Sequence, residues 1–270
     1  MPTILVTGGT GTLGRRVISH LQDTGCKVRS VSRHTCASTE GIEFVTGDLT
    51  TGQGIAAAVE GAEIIVHCAG SNKGDEEKTL NLVRAAAQAG TRHLVYISVV
   101  GAERIPVVSP IDRAIFSYFA SKLAAERVVA DSGLPWTILR ATQFHDLIFT
   151  TAQMMASLPA ALTFAGFRFQ PIDTDDVAAR LVQLTLGDPA GLVPELGGPQ
   201  IYAMADLLRC YLQARRLRRP LVPLWLPGRA ARAYRAGANL TPEHAAGKRT
   251  WEEFLADRLH QGDARSAPGC

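Results

Sequence analysis

The sequence predicts an α/β protein with a doubly wound parallel sheet and a small C-terminal cap. Three observations predict it. Strands and helices alternate over the first 140 residues, a glycine-rich turn follows the first strand directly, and the alternation loosens after Arg140. Alternation of this kind builds a parallel sheet with right-handed crossovers and helices on both faces.

The β-branched run Ile4–Val6 reads as the first strand. From Gly11 to about Gln22, Leu13, Val17, Ile18 and Leu21 recur at helical spacing, and Gly25 ends the run. Lys27–Ser32 and Ile42–Val45 are the second and third strands. Ile55–Val59 is a short helix stopped by Gly61, and Ile64–His67 is the fourth strand. Leu80–Ala89 is a helix ended by Gly90, and His93–Ser98 is the fifth strand. Ala114–Ser132 is a helix ended by Gly133, and Trp136–Leu139 is the sixth strand. Prolines 106 and 110 mark Ile105–Ile115 as an extended loop over the site.

Beyond Arg140 the expected elements are helices at Phe144–Leu158, 175–186, Met204–Ala214 and Trp251–Leu259. A strand end is expected near Ile172, a turn at Gly197-Gly198-Pro199, and broken structure at Pro220–Pro227. The organisation expected is a dinucleotide-binding core over 1–142, a mixed segment over 143–260 that returns to the core and forms the substrate cap, and a disordered tail over 261–270.

Composition narrows the function classes. The chain has 270 residues, 46% hydrophobic and 20% charged, with a net charge of +3. These values are ordinary for a globular protein. Residues 201–270 hold 12 Lys and Arg against 6 Asp and Glu, densest at Arg215, Arg216, Arg218 and Arg219. That run reads as a solvated helix end, or as an anion attractor near a substrate mouth. Without a stacking or recognition-helix pattern, no nucleic-acid partner is expected. No run is long enough to span a bilayer, so no membrane partner is expected. The five cysteines are scattered without metal-ligand spacing, and no metal or disulfide framework is expected. Nothing at the N-terminus resembles a secretory leader, so a cytoplasmic location is expected, as monomer or homodimer.

The glycine turn reads Thr7-Gly8-Gly9-Thr10-Gly11-Thr12-Leu13-Gly14. Gly8, Gly11 and Gly14 form G-x-x-G-x-x-G, and Gly9, Gly11 and Gly14 form G-x-G-x-x-G. A turn between a strand and a helix is the setting in which backbone N–H groups meet a pyrophosphate, the Rossmann-type site. Gly8, Thr10, Gly11, Thr12, Leu13 and Gly14 are therefore cofactor-binding candidates. The second strand ends Val31-Ser32-Arg33-His34 and lacks the acid that would accept hydrogen bonds from an NAD ribose. A hydroxyl and a guanidinium suit a 2′-phosphate, so Ser32 and Arg33 point to NADP(H). Asp48 either accepts from the adenine amino group or caps the next helix.

Tyr118 and Lys122 are four residues apart on one helix face. A nearby ammonium favours a phenolate, so such a tyrosine can exchange a proton with a carbonyl or alcohol. Ser98, at the end of the fifth strand, stands where a substrate oxygen would lie. Tyr118, Lys122 and Ser98 are the catalytic candidates.

These motifs together resemble the short-chain dehydrogenase/reductase superfamily. They are joined by Gly47-Asp48-Leu49, Cys68-Ala69-Gly70 and Tyr96-Ile97-Ser98. Ala124-Ala125-Glu126, the run Gly133 to Arg140, Asp176-Val177-Ala178 and Gly197-Gly198-Pro199 are similar to its atypical branch, which includes NmrA-like and isoflavone-reductase-like NAD(P)H-binding proteins. The resemblance covers roughly residues 3–260. It implies Asp48 and Leu49 at adenine, Ala69 and Gly70 beside the adenosine ribose, and Lys122 at the nicotinamide ribose. It further implies Ala141, Thr142 and Phe144 bordering the nicotinamide and substrate.

His145 is an alternative acid at the substrate mouth, and Ile148, Phe149 and Met154 are candidate substrate contacts. The apolar cap residues suggest a hydrophobic small-molecule substrate. The expected function is NADPH-dependent reduction of a carbonyl, quinone or enone with a tyrosine proton donor. The alternatives are an epimerase, dehydratase or cyclase that recycles its NADP, and an NADP(H) sensor without turnover.

Overall fold

The computed structural model describes residues 2–34, 41–70 and 74–266, with side chains described up to His260. Seven strands form one sheet: β1 (Thr3–Thr7), β2 (Lys27–Ser32), β3 (Ile42–Thr46), β4 (Ile64–His67), β5 (His93–Val99), β6 (Trp136–Ala141) and β9 (Gly191–Leu192). Their order is β3-β2-β1-β4-β5-β6-β9, and every pair is parallel. The chain reverses its direction of growth between β1 and β4, so a crevice opens at their C-terminal ends.

Side chains alternate across the sheet. Ile4, Val6, Ile97 and Leu139 face the layer of α1 (Thr12–Asp23) and α6 (Thr174–Leu186). Leu5, Ile65, Leu94 and Tyr96 face α2 (Ile55–Val59), α3 (Asp75–Gln88) and α4 (Pro110–Ala130). The cap is built from α5 (His145–Ala156), β7 (Ala161–Phe164), β8 (Arg168–Phe169), β10 (Tyr202–Ala203), α7 (Met204–Ala214), β11 (Leu221–Leu224), α8 (Arg229–Arg235) and α9 (Trp251–Ser266). A second hydrophobic core lies where these C-terminal elements meet α4. Phe116, Phe167, Tyr211, Tyr234, Trp251 and Phe254 are buried in it.

Several sequence expectations are corrected. The helix carrying Tyr118 starts at Pro110, not Ala114. Ser109 caps it: its hydroxyl accepts from the Asp112 N–H at 3.1 Å, and Asp112 accepts from the Ser109 N–H at 3.0 Å. Pro110 sits at the first helical position, where its missing N–H costs nothing. The connection from β5 to this helix is pinned at its start. Arg140 binds Glu103 at 2.7 and 3.1 Å and Glu126 at 2.9 and 2.7 Å. Arg104 binds Glu195 at 2.9 and 3.0 Å.

The helix expected from Leu80 starts at Asp75, with Asp75, Glu76 and Glu77 in its first turn, where acids complement the helix dipole. Part of Pro220–Pro227 is strand β11, paired with β7. β7, β8, β9, β10 and α8 have no counterpart among the sequence expectations. The last helix continues to Ser266, inside the expected disordered tail, and residues 267–270 lie outside the described ones.

Candidate functional site

The glycine turn is shaped by close approach. Gly8 has a φ of +69°, and a Cβ there would stand 2.8 Å from the Ala69 backbone. At Gly14 a Cβ would meet the Gly8 carbonyl oxygen at 2.1 Å, and at Gly9 the Ser30 hydroxyl at 2.2 Å. Gly11 differs: a Cβ there meets only the Gly8 oxygen, at 3.2 Å. Packing thus requires Gly8, Gly9 and Gly14, whereas Gly11 is bare toward the open side. Gly11 is also the N-cap of α1, with no side-chain cap and no acid in the first turn. The first-turn N–H groups of a helix have no partner within it. Thr10 and Thr12 are exposed around this turn, and Leu13 is buried beneath it. A cradle of bare backbone and free amides fits a dinucleotide pyrophosphate.

Beside it, Ser32 ends β2 and its hydroxyl accepts from the His34 N–H at 3.2 Å. Arg33 is exposed and makes no ion pair with the described residues. Asp48 is half-buried and accepts from the Thr50 N–H at 2.8 Å. It closes a local turn and does not cap α2, whose N-cap is Gly54. Leu49 is buried against the sheet. The Ala69 N–H bonds the Thr7 hydroxyl at 3.3 Å, and a Cβ on Gly70 would lie 3.0 Å from Lys122 Nζ. Lys122 therefore reaches the loop after β4.

Lys122 is the centre of a buried cluster. Its ammonium lies 3.3 Å from the Asp75 carboxylate and donates to the Tyr96 hydroxyl and the Ile97 carbonyl, each at 3.3 Å. It stands 5.8 Å from the Tyr118 ring centroid. Burial, the largest influence, opposes its charge. Tyr96, Tyr118 and Asp75 outweigh burial and hold Lys122 above the ordinary lysine value. Burial pushes Tyr96 up to about 12, against the pull of Lys122. His67 stacks on Tyr96 with centroids 5.2 Å apart and bonds Thr7 and Thr79 at 2.6 and 3.1 Å. Burial, then Lys122 and Lys78, lower its pKa to about 3, so the ring is neutral. Ser98 shares the strand face of Tyr96, and its buried hydroxyl has no partner among the described residues. Tyr118 itself is half-buried at the edge of the cap core, edge-on to Phe119.

Asp75, Tyr96 and His67 had no role in the sequence reading. Tyr96 was visible in the Tyr96-Ile97-Ser98 motif. Nothing local pointed to Asp75, whose meeting with Lys122 depends on the docking of α3 against α4.

After β6, Ala141 and Thr142 are buried. The Thr142 hydroxyl accepts from the Gly198 N–H at 3.3 Å, tying the Gly197-Gly198 turn to the strand end. Phe144 is the half-buried N-cap of α5. His145 is fully buried, stacked on Phe254 at 5.0 Å and near Trp251 at 6.0 Å. Burial lowers its pKa to about 4, and neither ring nitrogen has a partner among the described residues. It packs as a neutral aromatic, a poor setting for an acid. Ile148 and Phe149 pack within the cap, Phe149 edge-on to Tyr211 and Phe254. Met154 lies on the outer side of α5, 59% exposed. An apolar cleft of about 130 Å³ lies between α5 and α7, lined by Leu147, Ile148, Phe169, Met204 and Leu207. Among the described residues, no group of three or more His, Cys, Asp or Glu could hold a metal.

Known proteins share the fold and the segment that begins at the glycine turn. An uncharacterized protein of Mycobacterium tuberculosis is 26% identical over 231 residues, 83% of this chain and 24% of that protein. The (4-alkanoyl-5-oxo-2,5-dihydrofuran-3-yl)methyl phosphate reductase of Streptomyces griseus is 32% identical over 190 residues, 68% of this chain and 63% of the reductase. The chain thus spans about a quarter of the first relative and under two thirds of the second. The structure of an Escherichia coli NADPH-dependent quinone oxidoreductase in complex with NADPH superposes with a TM-score of 0.78 at 18% identity. The match covers 95% of this chain and 99% of that one. A family model described as NAD(P)H-binding matches residues 8–187, from the glycine turn through α6. The chain belongs to this NAD(P)H-binding family, on a Rossmann-type fold.

Proposed function

We propose that the chain is an NADP(H)-dependent oxidoreductase that reduces a carbonyl, quinone or enone of a hydrophobic small molecule. The observation that carries this reading is the buried Lys122 ammonium, paired with Asp75, beside Gly70 and Tyr118. A buried lysine with one carboxylate, next to a partly accessible tyrosine, is a costly arrangement for packing alone. The Streptomyces reductase and the E. coli quinone oxidoreductase support the class of reaction by their names.

When bound, the reduced nicotinamide supplies hydride. Tyr118 gives its phenolic proton to the substrate oxygen as negative charge develops there. Lys122 stabilises the phenolate left behind and would hold the nicotinamide ribose, while Asp75 keeps it charged and in place. Ser98, whose hydroxyl has no partner among the described residues, offers it to the same oxygen. The hydroxyl of Ser32 and the exposed guanidinium of Arg33 suit a 2′-phosphate. The apolar cleft beside Leu147 seats part of an apolar substrate.

The test follows NADPH absorbance with a panel of quinones, enones and ketones, with product analysis alongside. The proposal expects cofactor loss matched by reduced product. Product formed with no net cofactor change would instead assign the chain to a cofactor-recycling reaction, and cofactor binding without any turnover to a sensor.

A further inference from the structure

The segment from Gln213 to Arg229 links α7 to α8 through β11. Apart from the half-buried Leu221 and Leu226, each of its residues is exposed. It carries arginines at 215, 216, 218, 219 and 229 and no acidic residue. Large apolar side chains stand among them: Trp225 is 69% exposed, Leu224 39%, Val222 38% and Leu217 37%. Scattered single apolar residues are normal on a surface; a run of them among arginines calls for a partner.

The shelf is held in shape. β11 pairs with β7 from Leu221 opposite Ala161 to Leu224 opposite Phe164. Arg219 Nε donates to the Ala156 carbonyl at 3.2 Å. The Arg235 guanidinium lies 4.0 Å from the Trp225 ring centroid and donates to the Leu226 carbonyl at 2.8 Å. A hollow of about 520 Å³ at its start is bordered by Arg209, Leu217, Arg218, Arg219 and Pro220.

Two features choose the partner. Pro223 lacks an N–H, and a proline within an edge strand blunts it against another strand. The charge is entirely arginine, whose planar fork matches phosphate oxygens. A tryptophan and aliphatic side chains beside such arginines suit the boundary between headgroups and acyl chains.

We propose that this shelf docks the protein on the surface of an anionic phospholipid bilayer. Trp225, Leu224 and Val222 enter the headgroup boundary, and Arg215, Arg216, Arg218 and Arg219 pair with lipid phosphates. The attachment is peripheral, because no helix among the described residues is long and apolar enough to cross a membrane. It revises the sequence expectation of no membrane partner and is independent of the reaction proposed above.

The experiment sediments the full chain with phosphatidylcholine vesicles, with and without phosphatidylglycerol, at low and high salt. The expected result is binding only to the anionic vesicles, weakened by salt. A blue shift of tryptophan fluorescence should accompany it and vanish in Trp225→Phe. Arg218→Glu combined with Arg219→Glu should lower the partition at least about tenfold, with NADPH binding unchanged as the control for folding. Failure to bind anionic vesicles at low salt overturns the proposal, as does equal binding by the double variant. A dimer in solution that Trp225→Ala dissociates would give the shelf to a second copy and also overturn it.

Discussion

The Asp75 carboxylate and the Lys122 ammonium lie 3.3 Å apart with side-chain exposures of 1% and 4%, one buried ion pair joining the first turn of α3 to the middle of α4. Removing one partner of such a pair strands the other charge at a cost of about 3–5 kcal/mol. Asp75→Ala should therefore lower stability by about that much in denaturant titrations. The sign of its pH effect follows from Lys122. Its folded value is raised, so its stabilising contribution is complete below the ordinary lysine value and is lost only as pH climbs through the raised one. Wild-type activity should thus show no lysine titration near neutrality. In Asp75→Asn burial is less opposed, and the alkaline limb of the pH–rate profile should move down.

The glycines separate packing from binding. Gly14→Ala would press a Cβ to 2.1 Å from the Gly8 oxygen, and the protein should lose most of its stability. Gly11→Ala meets only one atom, at 3.2 Å, so it should fold with a near wild-type melting temperature. NAD(P)H binding should nevertheless fall sharply, because the added methyl occupies the side that the pyrophosphate approaches. Melting curves and fluorescence titration of the two variants check this.

Cofactor preference rests on Arg33. Charge-assisted hydrogen bonds contribute about 1.5–3 kcal/mol. Arg33→Ala should therefore weaken NADPH by roughly tenfold or more and leave NADH nearly unchanged. Parallel titrations of both cofactors read the difference directly.

Two buried histidines set the acid side of stability. His67 and His145 have folded pKa values of about 3 and about 4, below the ordinary 6.5. A depressed value means that the unfolded chain binds protons first, so stability falls as pH drops from about 6.5 toward 4. For His145 the loss is on the order of 3 kcal/mol over that range. His145→Leu should flatten this part of the stability curve, measured by thermal unfolding between neutral pH and pH 4, with little change at neutral pH.

What the sequence revealed follows from locality. The pyrophosphate cradle is one contiguous turn, and Tyr118 and Lys122 share a helix face by spacing alone. Both were readable without a structure. Asp75 was not, because its partner is distant in the chain. The start of α4 is legible in Ser109-Pro110-x-Asp112, yet a proline also reads as a helix breaker, and only the capping box shows that Pro110 stands at the one helical position that tolerates it. The cap misled for a different reason. Apolar pattern does not distinguish side chains that face a ligand from those that face one another. Phe167 stacks on Tyr234 at 4.6 Å, and Phe149 packs on Phe254, so these aromatics fill the cap's core.

The central claim is that Tyr118 delivers the proton beside a charged Lys122. It is tested most directly by single-turnover NADPH oxidation in Tyr118→Phe, with NADPH affinity measured on the same preparation. General acid catalysis contributes about 10²–10⁴-fold. The account expects the rate to fall at least about a hundredfold while affinity stays within about twofold. Turnover at the wild-type rate in that variant would contradict it.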